Sequence, residues 1–268
     1  MAKETVVTKV PQGAGNTVSR EASAIASGDH WDPFSFLGIH IEAPGNTVTV
    51  RAFLPWAERV FVIDPEREAP IEISRIHQAG LFSGIVGQEG RKFAYRLRVS
   101  TANGDVEIED PYRFPPLLGD LDIHLLAQGN HFRNYEKLGA HEKDIGGVSG
   151  TSFAVWAPNA RRVSVVGDFN GWDGRVHPMR IRHDIGVWEI FLPGVAAGAV
   201  YKFEIKTREG HILLKSDPYA AASETPPRTA SIVSELGDAA PTPELWRSQR
   251  LAANDRRAPI SIYEVHLG

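Results

Sequence analysis

Apolar and polar residues alternate with a period of two through most of the chain. Tyr201, Phe203 and Ile205 are spaced by Lys202, Glu204 and Lys206, and Tyr95, Leu97 and Val99 are spaced by Arg96 and Arg98. That period sends apolar side chains to one face of a sheet and charged ones to water, the signature of half-buried antiparallel strands. Turn chemistry punctuates the runs at Pro44-Gly45-Asn46, Asn103-Gly104-Asp105, Asn170-Gly171, Pro193-Gly194 and Glu209-Gly210. Short strands separated by turn signals predict an all-β, immunoglobulin-like sandwich fold.

Three stretches depart from the pattern. Residues 1–18 mix Thr, Val, Gly, Gln and Asn without periodicity, which predicts a mobile tail, with a short helical turn over Arg20 to Ser27. After Pro115-Pro116, Leu117, Leu118, Leu121, Leu125 and Leu126 recur at near-helical spacing, and Gly146-Gly147 follows; this predicts a linker with one short helix. At the far end, the apolar run Ile260 to Leu267 predicts a strand about twenty residues beyond the preceding sandwich. Its backbone groups need partners, so the expectation is that the chain stops inside a further domain.

Sliding the chain against itself exposes an internal repeat. Phe53-Leu54-Pro55-Trp56-Ala57-Glu58-Arg59-Val60 matches Trp156-Ala157-Pro158-Asn159-Ala160-Arg161-Arg162-Val163, an offset of 103 at the prolines (158 against 55). Ala94 to Val99 matches Val200 to Ile205 at 106 (201 against 95), and Asp110-Pro111-Tyr112 recurs as Asp217-Pro218-Tyr219 at 107 (218 against 111). Ordered landmarks at nearly constant spacing mean two related domains in tandem. The expected division is a mobile tail with a short helix over 1–29, an N-terminal sandwich over 30–115, a linker with a short helix over 116–140, a second sandwich over 141–237, a linker over 238–259, and a strand over 260–268.

Composition narrows the chemistry. The 268 residues are 42% hydrophobic, enough for two cores and against a disordered chain. With 29 Lys+Arg against 33 Asp+Glu the net charge is −4, so no broad basic field is available for a nucleic-acid backbone. The absence of Cys excludes disulfides, thiol nucleophiles and Cys-ligated zinc, and fits a reducing, cytoplasmic setting. No stretch has the apolar length of a secretory or membrane-spanning segment, so no membrane partner is expected.

Several motifs, taken in order, resemble a known family. His30-Trp31-Asp32-Pro33-Phe34-Ser35-Phe36-Leu37-Gly38-Ile39-His40 is similar to the opening of the N-terminal domain of the bacterial 1,4-α-glucan (glycogen) branching enzymes of the α-amylase superfamily. Val165-Val166-Gly167-Asp168-Phe169-Asn170-Gly171-Trp172-Asp173, with His177-Pro178-Met179-Arg180, resembles the family 48 carbohydrate-binding module of those enzymes. Ser261 to Gly268 resembles the first strand of their catalytic (β/α)₈ barrel. The resemblance covers His30 to Gly268. It implies transfer of an α-1,4-linked glucan segment to a 6-hydroxyl by a retaining mechanism. That mechanism needs an Asp nucleophile and a Glu acid/base roughly 5 Å apart at the barrel's C-terminal face. Those carboxylates are expected beyond Gly268, leaving this chain inactive alone, with an α-glucan and the missing barrel as its partners. Two other readings keep both sandwiches. One is a stand-alone glucan-binding module; the other is the N-terminal part of a debranching or trehalose-releasing relative.

Near-matches to catalytic motifs do not change this. Asn130-His131 resembles the end of the family's Asp-x-Val-x-Asn-His motif, but Leu126 stands where the Asp belongs. Arg182-His183-Asp184 resembles Arg-x-Asp but precedes Ile185-Gly186 and reads as a hairpin turn. No catalytic residue is therefore assigned. Neither His30 with Asp32 nor His124 with His131 has recognised ligand spacing, so no metal or other cofactor is expected. Gly167, Gly171 and Gly174 lie between strands and so form no phosphate cradle. What remains is sugar binding. An exposed aromatic plate edged by amide, carboxylate or ammonium groups suits the C–H faces and hydroxyls of a glucan. Trp172 is the candidate plate, with Asn170, Asp173 and Lys202 as hydroxyl partners; the alternative is that its indole packs against the hairpin or the missing barrel. Gly210 is followed by His211-Ile212 where the stand-alone glycogen-binding modules that this one resembles carry a second tryptophan, and that departure implies weak affinity. The first copy has no tryptophan in its matching loop, Phe61 to Glu66, and Trp31, Phe34 and Phe36 are expected to pack.

Overall fold

The computed structural model describes residues 20–234 and seven positions beyond them: Glu244, Arg247, Asp255, Arg257, Glu264, Val265 and His266. The chain divides into two units, 1–235 and 236–268. In the second unit, Glu264, Val265 and His266 are exposed and lie in no strand; the rest of the expected strand over 260–268, like most of the linker before it and residues 1–19, lies outside the described residues.

The first unit is all-β, with two tandem sandwiches. In the first, strands β1 (Gly38–Glu42), β2 (Thr47–Phe53), β3 (Arg59–Ile63), β4 (Ile71–His77), β5 (Leu81–Gly87), β6 (Arg96–Thr101) and β7 (Gly104–Glu109) form one hydrogen-bonded ladder in the order β1-β2-β5-β4-β3-β6-β7. Strand β4 turns the corner. Its Ile71, Glu72 and Ile73 pair with β3, and its Ser74, Arg75 and His77 pair with β5 across an irregularity between Arg75 and His77. The irregularity lets one strand serve both layers, so the two faces of the sandwich join through it. The predicted alternation is present: Tyr95, Leu97 and Val99 are buried in a core with Val50, Val60, Val62, Ile73 and Phe82.

The second sandwich pairs a sheet of β11 (Arg180–Arg182), β12 (Val187–Pro193), β9 (Val148–Trp156) and β8 (Gly139–Ile145) with a sheet of β10 (Arg162–Gly167), β13 (Val200–Lys206), β16 (Ser231–Ile232) and β15 (Ala222–Ser223), where β14 (Ile212–Lys215) also pairs with β13. Phe153, Val165, Trp188, Tyr201 and Phe203 fill its core.

Three expectations are revised. Residues 20–26 form a helix, α1, that is part of the first sandwich and not of a mobile tail, because Ala22 and Ile25 are buried against Phe36, Leu37, Phe53 and Tyr112. The second sandwich begins at Gly139, two residues before the expected boundary at 141. Gly146-Gly147 is not linker: both residues have positive φ and close a two-residue hairpin between Ile145 and Val148, a turn that demands glycine-like backbone twice.

The predicted linker helix is α2 (Asp120–Ala127). Leu118, with Ile123 and Leu126 beside it, packs on Leu138, Ala154, Ile185 and Val187. The linker therefore covers the outer face of the β8-β9-β12-β11 sheet, and β12 is buried on both faces. That accounts for Glu189, a buried carboxylate in mid-strand. It accepts hydrogen bonds from the Leu117 and Leu118 amides (3.2 and 3.0 Å) and pairs with Arg182 at 3.3 Å. A buried charge held by three donors ties the linker to the sheet, and removing any donor leaves it undercompensated.

Candidate functional site

The loop after β10 carries the candidate plate. Asp168–Asn170 forms one 3₁₀ turn, and both Gly171 (φ 62°) and Trp172 (φ 61°) are left-handed. For Gly171 this costs nothing. For Trp172 it is strained, and the surroundings impose it: the Trp172 amide donates to the Gly167 carbonyl (3.0 Å) and its indole Nε1–H donates to Asp168 Oδ1 (2.8 Å). The indole is thus pinned by its edge while 37% of the residue stays exposed. A pinned, part-exposed ring is a preorganised plate.

Asn170 is not a hydroxyl partner. It is only 7% exposed and its amide is fully spent: Oδ1 accepts from the Gly167 amide (3.0 Å), while Nδ2 donates to the Val165 carbonyl (2.9 Å) and to His177 Nδ1 (3.0 Å). It builds the loop. Burial pushes the His177 imidazole down to about 4, so the ring is neutral and its Nδ1 is free to accept that bond. Asp173 is tied to Arg175 through both carboxylate oxygens (2.6 to 3.1 Å). That hydrogen-bonded guanidinium holds its carboxyl below the usual carboxylate range. Behind the loop, a Cβ on Gly174 would lie 2.0 Å from the Glu204 carboxylate, so a larger residue would have to displace that carboxylate from its pair with buried Arg162.

Lys202 lies opposite Val166 in the β10–β13 register, and its Nζ donates to Thr229 Oγ1 (2.8 Å). Asp168, which the sequence reading did not single out, is exposed and commits one oxygen to the indole. Its signal was available: an acidic residue four positions before a tryptophan whose N–H needs an acceptor. The corresponding turn of the first copy is spent internally, with Asp64 accepting from the Glu66 amide and from Arg67.

The packing expected of Phe34 and Phe36 is observed, but Trp31 is 62% exposed and rests against the His183 ring at 6.2 Å. His183 itself lies in the four-residue loop between Arg182 and Val187, a hairpin turn. His131 bonds to Asp122 (3.0 Å), and His30 accepts from the Asp32 amide. Among the described residues no group of three or more His, Asp or Glu could hold a metal ion.

The internal repeat extends further than the sequence comparison reached. Leu37-Gly38-Ile39-His40 recurs as Leu138-Gly139-Ala140-His141. Each histidine Nε2 bonds the leucine carbonyl three residues back (2.8 and 2.9 Å). Each glycine has positive φ and packs on the tyrosine of its own Asp-Pro-Tyr segment. In both copies that Asp accepts from a buried tyrosine hydroxyl (Tyr95 or Tyr201) and from the amide two residues on (Tyr112 or Tyr219).

Two tandem sandwiches, the second with a part-exposed tryptophan in the loop after β10, define a pair of immunoglobulin-like β modules. Residues 19–112 match the model of the alpha-1,4-glucan branching enzyme GlgB, N-terminal domain, and residues 137–220 match carbohydrate-binding module 48 (isoamylase N-terminal domain). The chain belongs to the 1,4-alpha-glucan branching enzyme GlgB family, as its N-terminal region. It is 55% identical to 1,4-alpha-glucan branching enzyme GlgB of Paramagnetospirillum magneticum over 97% of this chain and 34% of that protein. It is also 55% identical to the protein of the same name from Rubrobacter xylanophilus over 91% of this chain and 33% of that protein. The chain therefore spans about a third of the length of the curated relatives it matches. Among solved structures it is similar to a pullulanase from Anoxybacillus sp. LM18-11 (TM-score 0.31, 16% identity, 74% of this chain and 28% of that chain). It is also similar to PulA from Klebsiella pneumoniae (TM-score 0.34, 17% identity, 80% and 23%). At these TM-scores the likeness adds nothing to the assignment.

Proposed function

We propose that this region holds α-glucan chains for a branching reaction carried out by the rest of the polypeptide, which transfers an α-1,4-linked segment to a 6-hydroxyl. The observation that carries the reading is the Trp172 indole, fixed by Asp168 in a left-handed loop while 37% of the residue stays exposed. Trp172 supplies the stacking face, the second oxygen of Asp168 and the Lys202 ammonium supply hydroxyl partners, and Asn170, His177 and Arg175 hold the frame. Asp173, paired with Arg175, has only lone pairs left to offer at its edge. The setting is the cytoplasm, where glycogen is made. No helix among the described residues is long and apolar enough to cross a membrane.

Affinity electrophoresis tests this. Migration of the 268-residue chain should be retarded in native gels containing glycogen, and Trp172→Ala should lose most of the retardation at an unchanged melting temperature. Affinity for short maltooligosaccharides should fall in the roughly 0.1 to 10 mM range expected of a single stacked plate with few polar partners. The same chain should leave the iodine colour of amylose unchanged, because the resemblance places the nucleophile and the acid/base in the barrel. Branching by this chain alone would overturn that part of the reading.

A further inference from the structure

We infer that a second, independent α-glucan site lies at Trp156, at the opening between the linker and the module. Ala154 and Trp156 share one face of β9, the face that α2 and Leu138 cover. The cover ends before Trp156, which is 63% exposed. It borders a cavity of about 400 Å³ lined by Tyr219, Asn134, His131, Leu138 and Pro218, and another of about 560 Å³ lined by Asn159, Thr207, Arg208 and Glu209. Trp156 is a wall of both.

The polar groups around this ring are those a sugar would take. The Asn134 side-chain amide has no hydrogen-bond partner among the described residues, although its backbone amide and carbonyl are both bonded. His131 donates Nε2–H to Asp122, and its Nδ1 is buried with no partner, so the ring lies behind the cavity wall and frames the site. Burial alone would raise the Asp122 carboxyl, but the hydrogen bonds from His131 and Lys137 outweigh it and hold the carboxyl below its ordinary range, so the acceptor that fixes the histidine tautomer stays charged. Tyr219 adds a second part-exposed ring. Two aromatic faces and a free amide beside open cavities suit a chain of C–H faces edged by hydroxyls. Two cavities bordered by one indole suit a linear oligosaccharide better than a single sugar. The choice of α-glucan rests on the reading of the module given above; the location does not.

Calorimetric titration of the 268-residue chain with maltoheptaose, with cellohexaose as control, separates the two. In the Trp172→Ala background, residual maltoheptaose binding should persist, and adding Trp156→Ala or Asn134→Ala should weaken it at least about fivefold, the loss expected of one stacked ring or amide. Asn134→Ala decides the matter if Trp156→Ala lowers the melting temperature. If Trp172→Ala alone removes all binding, or if neither further substitution changes the residual binding, the Trp156 site is wrong and the glucan reading stands. If Trp156 is covered by the remainder of a longer polypeptide instead, its substitution leaves maltoheptaose binding by this chain unchanged, which also overturns the proposal. Absence of maltoheptaose binding by the unsubstituted chain would overturn the glucan reading itself.

Discussion

The two Asp-Pro-Tyr segments share one local design and have opposite surroundings. In each, a buried Asp clamps a strand tyrosine and caps the following turn, and a glycine of the first strand is packed beneath. Tyr112 then continues across the junction. It is 8% exposed, stacks edge-on with Phe34, and donates its hydroxyl to the carbonyls of Val176 (3.1 Å) and Pro178 (3.3 Å) in the second sandwich. Arg180, its guanidinium 3.9 Å from the Phe34 ring centre and bonded to the Phe114 carbonyl, completes that seam. Tyr219, at the same position of the second copy, is 37% exposed and faces the Trp156 cavity. Duplication preserved the clamp and left its tyrosine buried in the seam in one place and part-exposed beside a cavity in the other.

The largest expected difference comes from truncating the tyrosines. Tyr112→Ala should cost about 3 to 5 kcal/mol in urea unfolding, as a packed aromatic with a satisfied hydroxyl does, whereas Tyr219→Ala should cost about 1 kcal/mol or less. Equal costs would mean that the two positions are equivalent after all. The clamps themselves should behave alike. Asp110→Ala and Asp217→Ala each strand a buried tyrosine hydroxyl and an amide, and each should lose about 2 to 3 kcal/mol.

Acid titration sharpens the contrast between the clamp and the aromatic loop. Burial pushes the Asp110 carboxyl up to about 6, against the hydrogen bonds it accepts, so the folded state binds that proton first and gains stability as pH falls from about 6 towards 4. Burial holds His177 down to about 4, so the unfolded chain binds that proton first and stability is lost as pH falls from 6.5 towards 4. The two effects oppose each other over one window. In Asp110→Asn the loss on acidification should steepen by about 2 kcal/mol, and in His177→Gln it should flatten, both followed by thermal melts between pH 4 and 7. The smallest expected effect is Tyr112→Phe, about 1 kcal/mol from one lost hydroxyl, against no change in Tyr219→Phe.

The period-two runs of β6 and β13, the linker helix and the duplication were all legible in the sequence because each rests on local chemistry repeated along the chain. Trp172 was legible as the part-exposed aromatic of its loop from the Asn-Gly turn before it. Its frame was not. Asn170 looks like a surface amide beside a glycine, and only the arrival of His177 from seven residues on shows that its side chain is spent. Trp31 and Trp156 carry no sequence mark that separates a packed indole from an open one. For Trp156, exposure was decided by where the linker stops covering the module. Glu189 reads as the polar partner in an alternating strand and is buried because the linker lies over it.

The most direct test follows the indole N–H signals of the 6 tryptophans by NMR during titration with maltoheptaose. The account predicts that the Trp172 signal moves on saturation and that fully buried Trp188, whose indole donates to the Ala157 carbonyl (3.0 Å), does not. A Trp172 signal that stays in place while the sugar is taken to saturating millimolar concentration would contradict it.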